Sequence, residues 1–174
     1  MQDKLQSINT EEGKVKNQAS PKLIFIVEDN LLFLKSLQLF LNDKFPETDI
    51  AIFPLGELCL HSLHLNPDFI ILDYHLDTKY SKAANGLQMI KQIRAAKQNA
   101  KIILLSAQDN IDVAVAAAKY KGCSYVTKNG DAYEKVYSII QKSVNRQTNV
   151  NSLSRKKQAQ PGTGNEIVNG ETCL

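Results

Sequence analysis

Five short runs of strand-forming residues alternate with helical periods along the middle of this chain. The runs are Lys22–Val27, Asp49–Phe53, Phe69–Leu72, Lys101–Leu105 and Ser124–Thr127. Runs this short, rich in Ile, Leu, Val and Phe, suit strands buried on both faces, and helices between them supply the crossovers that parallel strands need. The spacing predicts helices from an Asn30 cap through Asn42, from about Leu55 to Leu63, over Gly86–Lys97 and from Asn110 to Lys121 with Gly122 as terminator. A last helix follows Gly130-Asp131, with Tyr133, Val136, Tyr137, Ile140 and Val144 on one stripe. The expected architecture is α/β, a (βα)5 unit with a doubly wound, five-stranded parallel sheet.

The same runs end in residues with chemistry. Glu28-Asp29 follow the first, Asp73 the third, Ser106 the fourth, and Lys128 the fifth. Open α/β sheets place ligands at the carboxyl ends of their strands, so these side chains are candidates for a common site. Three carboxylates converging there repel one another and raise one another's pKa unless a cation intervenes. Mg²⁺ is the natural choice, because it takes hard oxygen ligands. Acids, a hydroxyl and an ammonium together suit phosphoryl transfer, in which catalysis is mostly positioning and charge neutralisation. Asp73 is the candidate nucleophile, since a carboxylate can accept a phosphoryl group as an acyl phosphate.

Composition bounds the alternatives. With 174 residues, 43% of them hydrophobic, the chain can bury one core of ordinary size. No apolar run reaches membrane-spanning length, and Met1–Ser20 lacks the apolar stretch of a signal peptide, so no membrane association is expected. Cys59, Cys123 and Cys173 are odd in number and show no CxxC spacing, which fits a reducing, cytoplasmic setting. The net charge of +3 comes mainly from Arg155-Lys156-Lys157 near the end, too small a cluster to predict nucleic-acid binding. Residues 1–20 read as a flexible arm, 21–146 as the folded domain and 147–174 as a disordered polar tail.

Taken together, Glu28-Asp29, Asp73, Ser106, Tyr125 and Lys128 make the body resemble the receiver domain of two-component response regulators, of the single-domain chemotaxis-regulator kind. The resemblance covers Pro21 to about Arg146 and implies a flavodoxin-like fold with strand order 2-1-3-4-5. It implies phosphorylation of Asp73 by a sensor histidine kinase or a histidine phosphotransfer protein. Glu28, Asp29, Asp73 and the backbone carbonyl of His75 would hold the Mg²⁺, with Glu28 acting directly or through water. Lys128 and Ser106 would contact phosphoryl oxygens. Ser106 and Tyr125 would act as the switch that alters the surface of the fourth helix, fifth strand and fifth helix. The module would promote its own phosphorylation and dephosphorylation without being an enzyme in the ordinary sense. Output would pass to an unidentified downstream protein, from a monomer or transient dimer, since residues 147–174 are too few for a DNA-binding or catalytic domain.

Three departures from the family pattern stand out. The link Tyr74–Gly86 is long, and long ordered loops are often functional, here as a partial lid or a partner contact. Asn129 follows Lys128 where the family has proline, so a trans peptide is expected there. His75 and Gln108 stand at positions that tune dephosphorylation in the family. A soft-metal site from Cys59, His61 and His64 fails, because at helical spacing Cys59 and His61 point nearly opposite ways. The alternative function is a Mg²⁺-dependent phosphohydrolase of the phosphoaspartate type, resembling haloacid dehalogenases. Those enzymes need a second acid two residues after the nucleophile, where this chain has His75.

Overall fold

The computed structural model describes residues 20–76 and 86–158, with side chains through Arg146. Its strands are β1 (Leu23–Val27), β2 (Asp49–Phe53), β3 (Phe69–Asp73), β4 (Lys101–Ser106) and β5 (Cys123–Thr127). The helices are α1 (Leu31–Lys44), α2 (Gly56–Ser62), α3 (Gly86–Ala96), α4 (Ile111–Ala118) and α5 (Ala132–Gln158). All strands pair in parallel in one sheet of order β2-β1-β3-β4-β5. The alternation predicts the (βα)5 parallel sheet, and this strand order is the flavodoxin-like one that the resemblance implies.

Strand side chains alternate between two cores, as a period of two requires. Ile24, Ile26, Phe69, Ile71, Ile103, Leu105 and Val126 face one side. There they meet Leu34, Leu37 and Leu41 of α1 and the whole α5 stripe, Tyr133, Val136, Tyr137, Ile140 and Val144. Phe25, Val27, Ile70, Leu72, Ile102 and Leu104 face the other side, where α2, α3 and α4 contribute Cys59, Met89, Ile90, Ile93, Val113 and Ala117. The central strand β3 is buried along its whole length. Each such Ile, Leu or Phe stabilises the fold by about 1.5–3 kcal/mol relative to exposure, which holds the sheet edge rigid under the site.

Local signals place the helix starts well and the ends less well. The Asn30 side chain accepts from the Phe33 amide, and Asn110 does the same for Val113 at α4. The α2 segment tightens into a 3-10 turn at Leu63–Leu65 and ends at Asn66, whose φ of 58° is tolerated by asparagine ahead of Pro67. Gly122 does not cap α4, which stops at Ala118. Its φ of 76° instead turns the chain into β5.

The expected boundary at Arg146 needs correction. Helix α5 continues to Gln158, through residues read as the start of a disordered tail. No glycine or proline interrupts 132–158, and extending a helix already nucleated on the sheet adds a bond for each residue ordered. The arm at 1–19, the lid reading of 77–85 and the tail at 159–174 lie outside the described residues.

Candidate functional site

The sheet ladder continues past the strand ends and aims their last residues at one mouth. The Glu28 amide donates to the Phe53 carbonyl at 3.0 Å, that of Tyr74 to Leu105 at 2.7 Å, and that of Lys128 to Ser106 at 2.7 Å. Because Val27 lies opposite Leu72, the next residues, Glu28 and Asp73, fall side by side. Glu28, Asp29 and Asp73 offer carboxylate oxygens that all lie within 4.8 Å of one another. The Lys128 ammonium sits between two of these acids, 2.6 Å from Glu28 Oε2 and 3.0 Å from Asp73 Oδ1. Neither oxygen receives an aligned hydrogen bond, so the lysine holds them by charge.

Both acids are deeply buried, at 1% exposure for Glu28 and 3% for Asp73. Two buried carboxylates sharing one ammonium leave a net negative cavity. Burial pushes the Glu28 carboxyl above the ordinary glutamate value. The Asp73 charge adds to the rise, while Lys128 and the Asn30 amide oppose it. The folded state therefore holds this proton more tightly than the unfolded chain. Stability from this group is lost as pH rises from 4.5 through the raised folded value. In divalent-free buffer, Glu28→Gln is expected to stabilise the protein at neutral pH, with the gain vanishing below pH 4.5. Urea midpoints of the two proteins across that range check it, and a gain that grows on acidification would contradict the assignment.

The donor set fits a small divalent cation. It offers hard carboxylate oxygens, two of them without aligned donors, at a negative mouth. His75 is exposed and lies two residues beyond Asp73, its ring edge-on to Tyr74 at 4.6 Å. The Lys128–Asn129 bond is trans, for no cis peptide occurs among the described residues.

Ser106 and Tyr125 are joined through an atom that the sequence did not suggest. The fully buried Ser106 hydroxyl donates to the Gln108 carbonyl at 3.0 Å, and the Tyr125 hydroxyl donates to that same carbonyl at 2.7 Å. Tyr125 Oη also accepts from the Asn110 amide at 3.2 Å, and the Thr127 hydroxyl donates to Asp109. The loop after β4 is thus clasped to β5 at both positions. Phe33 was also missed. Its ring lies 4.6 Å beneath the Lys128 ammonium and meets Tyr133 edge-on at 5.3 Å. Helical spacing places Phe33 in the first turn of α1 beside Leu34, but does not say that the end of β5 reaches it. The rejected soft-metal triad stays apart. Cys59 is buried with its thiol pushed up to about 12, while the exposed His61 and His64 bond backbone carbonyls.

Comparison with known proteins identifies the family and the fold. The photosynthetic apparatus regulatory protein RegA of Rhodobacter capsulatus is 25% identical over 132 residues, 75% of this chain and 68% of that protein. The acid tolerance regulatory protein ActR of Rhizobium meliloti (strain 1021) is 26% identical over 121 residues, 70% of this chain and 59% of its own length. The chain therefore spans about two thirds or less of these relatives. Among solved structures, a CheY-like response regulator receiver domain protein from Methanospirillum hungatei JF-1 superposes with a TM-score of 0.62 at 17% identity, covering 75% of this chain and 98% of that one. A response regulator from Burkholderia pseudomallei, solved with a phosphorylated aspartic acid and a calcium ion, gives 0.58 at 21%, covering 76% and 74%. At these identities the structures speak for the fold alone. Residues 24–141, well over half the chain and containing every acid, hydroxyl and ammonium of the site, match the family described as response regulator receiver domain, and the chain belongs to that family.

Proposed function

We propose that this receiver is a phosphoacceptor of a two-component relay, taking a phosphoryl group on Asp73 and signalling through the surface of α4, β5 and α5. The observation that carries the reading is the Lys128 ammonium held between buried Glu28 and Asp73 at the ends of three strands. An Asp73 oxygen attacks the phosphorus of a phosphohistidine on a sensor kinase or phosphotransfer protein. The new O–P bond makes an acyl phosphate, the P–N bond breaks, and the imidazole leaves and takes a proton. Mg²⁺, held by Glu28, Asp29, Asp73 and the His75 carbonyl, would neutralise charge on the phosphoryl oxygens. Lys128 exchanges Asp73 Oδ1 for a phosphoryl oxygen, with Phe33 supporting it from below. Ser106 turns its hydroxyl from Gln108 to another oxygen. That turn unfastens Ser106 from the loop whose Gln108 carbonyl accepts from the Tyr125 hydroxyl, so the loop is freer to move and the ring's position shifts in population.

Acetyl phosphate with Mg²⁺ tests the reaction class. Stoichiometric, acid-stable and alkali-labile label supports the receiver, whereas multiple turnover of p-nitrophenyl phosphate would support a hydrolase instead. Tyr125→Ala is expected to leave labelling near normal while weakening binding of the phosphorylated form to its downstream protein by roughly tenfold. Unchanged affinity for that protein would remove Tyr125 from the output.

A further inference from the structure

At the other end of the sheet, remote from Asp73, a groove of about 310 Å³ opens between the first residues of β3, β4 and β5 and one stripe of α5. Three cations line it, Lys101 from β4 and Lys142 and Arg146 from α5, and no acidic side chain does. Ser124 and Ser143 add hydroxyls, and Ile139 contributes apolar wall. Ile139, Lys142, Ser143 and Arg146 recur at helical spacing, so one helical face supplies both charge and apolar surface. None of the three cations forms an ion pair among the described residues. The neighbouring carboxylate, Asp68, is already used, its Oδ2 accepting from the Lys22 and Leu23 amides at 2.7 and 3.2 Å. The Lys101 ammonium lies 5.0 Å over the Phe69 ring, and burial pulls its pKa below the ordinary lysine value despite Asp68.

We propose that this groove binds a small phosphorylated molecule with an apolar portion, of nucleoside monophosphate size. Arginine and lysine together suit a phosphate, the guanidinium by its fork and the ammonium as a point charge. The volume lies near the lower end of small-ligand sites, roughly 300–1,000 Å³, which favours one compact ligand over a polymer. Ile139 and Lys142 also line the shallower groove that contains Tyr125, so an occupant touches the helix that carries the output surface.

Adenosine monophosphate is the probe, titrated calorimetrically into the full chain in divalent-free buffer so that the Asp73 site contributes little. Saturable one-to-one binding is expected, with adenosine much weaker. The pair Lys142→Glu and Arg146→Glu, both exposed on α5, should weaken it by at least about tenfold and leave Mg²⁺-dependent labelling of Asp73 unchanged. Ser143→Phe, which fills the groove without altering charge, should have the same effect. Absence of saturable binding, or full binding by both variants, overturns the proposal. So does adhesion to phosphatidylglycerol vesicles that depends on Lys142 and Arg146 while adenosine monophosphate gives no heat.

Discussion

Asp73→Asn is expected to abolish incorporation of label from acetyl phosphate or a phosphohistidine donor, a fall of roughly a thousandfold or more. The amide keeps the shape of the side chain but loses the charged oxygen that would form the bond to phosphorus in the proposed reaction. Glu28, the other buried acid at the mouth, is a poor replacement, because its side chain accepts from the Asn30 amide at 3.1 Å and is paired with Lys128. The fold should survive, since the substitution removes one of two buried carboxylates competing for one ammonium. A denaturation midpoint at or above that of the parent protein in divalent-free buffer would accompany the loss of label. Acid-stable, alkali-labile label persisting on the variant would refute Asp73 as the acceptor.

Lys128→Ala is expected to destabilise the protein by about 3 kcal/mol in divalent-free buffer, the scale for removing one partner of a buried ion pair. The ammonium is the cation that bridges Glu28 and Asp73, whose side chains are 1% and 5% exposed, and its loss leaves both without a counter-charge. Mg²⁺ should restore part of that stability by binding the folded state alone, so the variant's midpoint should depend more steeply on Mg²⁺ than the parent's. Combining it with Asp73→Asn measures the coupling, and the double variant should be less destabilised than the two separate effects suggest. Equal urea midpoints for parent and Lys128→Ala under chelation would show that the lysine does not hold the acids together.

Much of this arrangement was legible because strand register is a local property with distant consequences. The second strand begins at Asp49 and ends at Phe53, as the sequence predicts. Glu28, Asp73 and Lys128 each follow an apolar run, so once the runs pair in parallel their next residues must share one edge. What escaped depends on contacts between elements. Phe33 beneath Lys128 requires the lysine to reach from the end of β5 to α1, which packs against α5, β1 and β2, and no spacing within α1 specifies that. The Gln108 carbonyl that serves both Ser106 and Tyr125 is a backbone atom, indistinguishable in sequence from any other. The full length of α5 was hidden because polar residues past Arg146 read as tail, although nothing in them breaks a helix already begun.

Apolar patterning and the end points of buried runs were enough to specify the layered fold and the sheet edge at which the acids, the hydroxyl and the ammonium stand. Tertiary structure alone decided that one ammonium lies between two buried acids with an aromatic ring under it, and that a single carbonyl links hydroxyl to tyrosine. Those features arise from side chains brought within a few ångströms across strands far apart in the chain, where closeness is set by packing and not by order along the backbone.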